Sequence, residues 1–234
     1  MQANHAATHG YGDFEVDLRM VLVNKNGKST ERRLAIAQLE VSPELTKTLI
    51  SFAAPKSIRG TGLLTFSAKD RDAMQWIYLP KFNRVKRISA RDRSGSFAQS
   101  TFSYEDLTDF RVDEFDYRWE GTTTCGSLQC DVVLRTPKDP YSGYAYQRLW
   151  VDDSIHQIRS MELYDTDREL QKVMQAEDFR AYALPSGVVY FPTSVTMQNV
   201  QTGRATTLIW GEHKFARGLT EQRNFSENAL RRVR

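Results

Sequence analysis

This sequence predicts a mainly β, single-domain protein built on one antiparallel sheet or barrel. Apolar residues recur with a period of two, turn-forming residues punctuate the alternation at regular spacing, and no long helical pattern intervenes. Many short strands without crossover helices pair antiparallel. The length, 234 residues, suits one undivided domain. Residues 13–234 are assigned to it, with 1–12 as a disordered or export-processed tail.

Phe14, Val16, Leu18, Met20 and Leu22 alternate with Glu15, Asp17, Arg19, Val21 and Val23, as a half-buried strand requires. The Asn24-Lys-Asn26-Gly27 run then turns the chain into a return strand over 32–41. Further strands are expected over 45–53, 62–68, 73–79 and 83–89. Phe115, Tyr117 and Trp119 alternate with Glu114, Asp116, Arg118 and Glu120 in the next. Strands over 131–135, 144–151, 157–164, 188–200 and 204–215 complete the series, the last two around the turn at Gly203. Helix is scarce. Ser103 can cap a short one over 103–110, with Glu105 and Asp106 in its first turn. Another can start at Ser226. Residues 167–177 fit a helix through Leu170, Val173 and Met174, and fit a hairpin equally well.

The net charge of +3 lacks the basic field of a nucleic-acid protein. No run of eighteen apolar residues appears. The polar stretch after Met1 is not a secretory leader, so the chain reads as cytoplasmic or as the mature form of an exported protein. Cys125 and Cys130 flank a Gly-containing turn. A disulfide there contributes about 2 kcal/mol by loop closure, and its alternative is two free thiols. The disulfide is favoured, which points to an oxidising compartment.

Groups that carry chemistry are sparse. His5 and His9 have i,i+4 spacing but no cysteine or carboxylate cluster beside them, so no metal site is expected. No nucleophile elbow and no phosphate loop occurs. Carboxylates gather at Glu105, Asp106 and Asp109, then at Asp113, Glu114 and Asp116. The second set alternates with aromatics and is expected to face water. No catalytic residue and no cofactor is assigned, and the chain is not expected to be an enzyme. Lys81, Arg84, Lys86, Arg87, Arg91 and Arg93 form a basic run, read either as a solvated hairpin or as a contact for anionic headgroups or an acidic partner. Apolar residues also occupy both faces of 74–79 and 144–151. A second apolar face must be covered by helix, sheet or ligand.

One long segment carries a resemblance. It reads Pro55-Lys-Ser-Ile-Arg-Gly-Thr-Gly62, Gln75-Trp-Ile-Tyr-Leu-Pro80, Arg84-Val-Lys-Arg-Ile88, Ser94-Gly-Ser-Phe97 and Phe102-Ser-Tyr-Glu-Asp-Leu107. It continues through Thr136-Pro-Lys-Asp139, Gly143-Tyr144, Trp150-Val-Asp152 and Gln201-Thr-Gly203. In order and spacing this resembles the outer-membrane lipoprotein-sorting family of LolA-like proteins, from about Phe14 onward.

The resemblance implies a half-open antiparallel β-barrel with short helices covering its concave apolar face. It also implies a periplasmic carrier of lipid, lipoprotein acyl chain or similar apolar cargo. Such a carrier works between inner-membrane machinery, including transporters of the resistance-nodulation-division type, and an outer-membrane acceptor, with transient membrane contact only. Trp76, Tyr78, Phe97, Phe102, Tyr104, Leu107, Tyr146 and Trp150 are the expected cavity residues. Arg84, Arg87 and Arg91 are the expected headgroup or partner contacts. The run Phe97-Ala-Gln-Ser-Thr-Phe102 departs from the Met, Gly and acidic residues more usual in the family, at a loop expected near the mouth. The alternative is a periplasmic sensor or adaptor that binds a protein partner through the same fold.

Overall fold

The computed structural model describes residues 1–69 and 71–233. Their backbone is organised as one 14-stranded sheet. In the first half run β1 (Asp13–Val23), β2 (Ser29–Ser42), β3 (Leu45–Ala54), β4 (Gly62–Ala68), β5 (Arg71–Leu79) and β6 (Arg84–Ile88). In the second half run β7 (Phe115–Cys125), β8 (Leu128–Pro137), β9 (Tyr144–Asp152), β10 (Ile158–Asp165), β11 (Leu170–Leu184), β12 (Gly187–Asn199), β13 (Arg204–Trp210) and β14 (Lys214–Phe215). β1 to β6 and β7 to β13 are each a meander of antiparallel neighbours, and β1 joins them by pairing with β2 on one side and with β13 and the short β14 on the other. The sheet order therefore runs from β6 at one edge to β7 at the other, and these two edges do not pair. The barrel is half open, as expected.

Strand alternation sets what fills it. Phe14, Val16, Leu18 and Met20 all bury one face of β1. The same inner face continues through Leu34, Phe52, Leu63 and Ile77 on one side, and through Leu208, Met197, Met174 and Leu163 on the other. The connection between the two edges, residues 89–114, lies across it. That segment is a chain of short 3-10 turns, and its Phe97 and Phe102 are buried in the core cluster. It is tied down by polar bonds as well. Thr101 Oγ1 donates to Met197 O at 2.7 Å, Thr206 Oγ1 accepts from Thr101 N at 3.0 Å, and Gln75 Nε2 donates to Tyr104 O at 2.9 Å. These bonds satisfy backbone groups that burial would otherwise orphan.

The expected helix over 103–110 is a single 3-10 turn, Glu105–Leu107. Ser103 and Asp106 bond to each other across its start, Asp106 Oδ2 accepting from Ser103 N at 2.7 Å and Ser103 Oγ from Asp106 N at 3.4 Å. It ends because Thr108 is extended and Asp109 N donates to Ser67 Oγ at 3.1 Å, outside any helical ladder. The ambiguous stretch after Asp165 is a hairpin. The Asp165 carboxylate accepts from the backbone of Asp167 and Glu169, both at 3.0 Å, and starts β11. The helix expected at Ser226 forms as α3 (Glu227–Leu230), preceded by α2 (Glu221–Asn224), and Ser226 Oγ accepts from Ala229 N.

Residues 1–12, read as a disordered or export-processed tail, are folded onto the body. α1 (Gln2–Ala7) is anchored by Asn4 Nδ2 donating to His156 O at 2.6 Å, and Tyr11 packs on Phe14 and Phe191. Cys125 and Cys130 form a disulfide across the tip of the β7–β8 hairpin. Among the described residues no helix is long and apolar enough to cross a membrane.

Candidate functional site

Where the 89–114 connection leaves the inner face uncovered, a cavity of about 730 Å³ remains. Its floor is apolar and comes from the second half of the sheet: Met161 and Leu163 of β10, Met174 of β11, Met197 of β12, and Leu208 and Trp210 of β13. Phe102, Leu107 and Phe110 of the connection form its roof. The exposed residues Asp72, Lys138 and Tyr141 stand at its opening. The volume falls within the range of about 300–1,000 Å³ usual for small-molecule sites.

One wall is charged. The Asp106 carboxylate accepts from Ser103 N, from Tyr144 OH at 2.9 Å and from Lys172 Nζ at 3.1 Å. Lys172 Nζ also donates to the Tyr144 oxygen at 2.7 Å. Burial, with Asp106 adding to it, pushes the Tyr144 hydroxyl well above its ordinary pKa. Glu105 accepts from Ser142 Oγ at 2.9 Å and Gly143 N at 3.0 Å, yet burial and then the Asp106 charge raise it to about 7. Glycine is required at 143, because a Cβ there would lie 2.8 Å from both Glu105 Oε1 and Ser94 Cβ. Glu114 is raised to about 7 by burial and then by Asp113. Arg93 pairs with Asp139 at 2.7 Å and Asp72 at 3.3 Å.

Arg135 on β8 is held differently. Its guanidinium carbon lies 4.4 Å from the Phe115 ring centre and 5.1 Å from that of Phe110. Its Nε donates to Gln147 Oε1 at 2.5 Å, and its Nη2 reaches Met161 Sδ at 3.6 Å. Burial pulls its pKa down to about 10.

The expected cavity residues separate into groups. Phe102 and Leu107 line the cavity, and Phe97 and Tyr104 pack in the core beside it. Trp76 and Tyr78 lie on the opposite face of β5. There Trp76 meets Phe66 in a groove closed by Phe225 of the C-terminal helices, and Tyr78 packs in the same cluster. The second apolar face of β5 is thus covered by helix. Tyr146 stacks on Tyr164 at 4.4 Å, away from the cavity. An irregularity in the β9–β10 pairing puts Tyr144 and Tyr146 on opposite faces, so simple alternation misplaces Tyr146 and Trp150. Arg84, Arg87 and Arg91 are exposed, as is most of the basic run, but Arg93 is buried in its ion pairs.

Two further readings are corrected. Glu114, expected to face water, lines the cavity because it ends a 3-10 turn, Val112–Glu114, before the β7 alternation begins; Asp116 inside the strand is exposed. The Phe97–Phe102 loop, expected near the mouth, sits instead by the β1–β2 and β12–β13 turns, with Arg32 donating to Ala98 O and Arg204 to Gln99 O at 2.6 Å. Sequence reasoning did not single out Arg135, Lys172 or the methionine floor. Their signal was position on the inward side of β8, β10, β11 and β12, which register alone reveals.

A structure of a domain assigned to outer membrane lipoprotein sorting, from Vibrio parahaemolyticus, is 32% identical to this chain. It superposes with a TM-score of 0.94, over 99% of this chain and 96% of that one. The chain belongs to the outer-membrane lipoprotein-sorting, LolA-like family. A family model described as that of an uncharacterized protein matches residues 44–232 of this LolA-like protein. Two more distant structures share the fold. A DUF1329 family protein from Desulfovibrio piger is 24% identical with a TM-score of 0.88, each chain covered over 98%. A LolA superfamily protein from Nitrosomonas europaea is 17% identical with a TM-score of 0.75, over 97% of this chain and 96% of that one. No curated protein matches the chain.

Proposed function

We propose that this LolA-like protein is a periplasmic carrier that takes a lipid, a lipoprotein acyl chain or similar apolar cargo into its cavity. In this reading residues 13–234 act as one carrier domain between inner-membrane machinery, such as a transporter of the resistance-nodulation-division type, and the outer membrane. The observation that carries it is the 730 Å³ cavity with a floor of methionine, leucine and tryptophan side chains and an opening to solvent. Leaving an acyl chain in water costs about 0.8 kcal/mol per methylene, so transfer across an aqueous gap needs such an escort. Methionines adapt to irregular apolar shapes, which suits cargo that must also leave. The lipoprotein-sorting assignment of the Vibrio relative supports the same cargo class.

In this reading Phe102 and Leu107 contact the cargo from the roof, while Arg84, Arg87 and Arg91 meet anionic headgroups or a partner at the β6 edge. Native mass spectrometry of the purified protein, followed by solvent extraction, tests it. The expected result is a bound lipid or fatty acid, lost on denaturation. A protein that is empty and also refuses labelled phospholipid and acyl probes overturns it.

A further inference from the structure

A buried charge needs a partner, because removing it from water costs more than packing returns. The cationic side chains along the charged wall obey this rule, with Arg135 as the exception. Arg93 has Asp139 and Asp72, and Lys172 has Asp106. Arg135 is only 8% exposed and lines the cavity, yet it has no carboxylate partner among the described residues. Its bonds to Gln147 and Met161 use Nε and Nη2 and leave Nη1 without an acceptor among the described residues. Phe110 and Phe115 hold the guanidinium plane in place. A fixed planar fork with free donors is the geometry that takes a carboxylate or a phosphate with paired hydrogen bonds.

We propose that Arg135 anchors an oxyanion headgroup, so that the cargo is an amphiphile with a carboxylate or phosphate head and an apolar tail. The apolar floor begins beside this anchor, since Met161 touches Arg135 and also lines the floor with Leu163 and Met174. A head seated on the guanidinium therefore lays its tail along the methionines. Asp106 and Glu114 are the carboxylates whose charge reaches Arg135, and neither forms an ion pair with it among the described residues. Asp106 is held by Lys172, Tyr144 and Ser103, and Glu105 by Ser142 and Gly143. The inference rests on the carrier reading and adds to it the chemical class of the cargo.

The test is displacement of a fluorescent acyl probe from the full chain by amphiphiles with one common tail: laurate, dodecyl phosphate, 1-dodecanol and dodecyltrimethylammonium. Acetate and inorganic phosphate serve as heads without tails. Laurate and dodecyl phosphate are expected to displace the probe at concentrations about tenfold below dodecanol, as a charge-assisted hydrogen bond provides, with the tailless anions inert. Arg135→Gln is expected to bring the laurate-to-dodecanol ratio to near one, and Arg135→Lys to restore part of it. The wild-type series decides the matter even if a variant does not fold. Equal displacement by laurate and dodecanol, preference for the cationic head, or full displacement by inorganic phosphate each overturns the headgroup assignment and leaves the carrier reading standing. If dodecanol and the acyl probe themselves fail to bind, the carrier reading falls and this assignment falls with it.

Discussion

Glu114 sits one residue before β7, and its carboxyl is held up to about 7 chiefly by burial. Its sign follows from linkage. Unfolded, a glutamate gives up its proton near 4.5; folded, Glu114 keeps it to about 7, so the folded state binds more protons between these values. Stability therefore falls as pH rises from about 4.5 to about 7, and Glu105 contributes in the same direction. Glu114→Gln is expected to shrink the stability lost between pH 5 and pH 8 by about 1–3 kcal/mol. Urea denaturation at the two pH values measures it; an unchanged difference would mean that the carboxyl is solvated. Phe102 and Leu107 were readable as cavity residues because their motif placed them on the connection over the inner face. Arg135 was not, since one charged residue between Leu134 and Thr136 reads from sequence as a solvated position. Only the pairing of β8 with β9, Arg135 opposite Gln147, shows that it points inward.

At the level of elements, period-two alternation and turn residues marked nearly every strand, because most strands bury one face more deeply than the other. Those signals failed where a long-range bond overrode a local preference. The 103–110 segment carries helix-start residues, but Ser67, 42 positions away, takes the Asp109 amide. The bulge near Tyr144 is likewise invisible to a strict two-residue count. The Cys125–Cys130 disulfide closes the short β7–β8 turn and lies apart from the cavity lining. Reduction is expected to lower stability by about 2 kcal/mol in urea denaturation and to leave the affinity for an acyl probe unchanged. A loss of probe affinity on reduction would show that the hairpin holds the cavity in shape.

Across the whole molecule, the order of strands explains why one segment does so much. β6 and β7 are neighbours in sequence and farthest apart in the sheet, so their connection must cross the inner face. Alternation alone could not say whether the sheet closes, since closure depends on which edge strands pair; the co-linear motifs supplied that expectation. A ligand that binds only the folded state shifts unfolding by mass action. Laurate at about one hundred times its dissociation constant is expected to raise stability by about 2.7 kcal/mol, read as a higher thermal midpoint. No shift at saturation would show that laurate does not bind the folded protein in preference to the unfolded chain.

An unclosed barrel also leaves two rows of backbone amides and carbonyls unsatisfied, each a template on which another chain could add a strand. β6 is only five residues long and presents Arg84, Lys86 and Arg87. β7 carries exposed Asp116, Arg118 and Glu120 and a break in register between Trp119 and Gly121. Short length, charge and a bulge are the features that discourage edge-to-edge pairing. On a sheet with two open edges they guard each against the addition of a further strand.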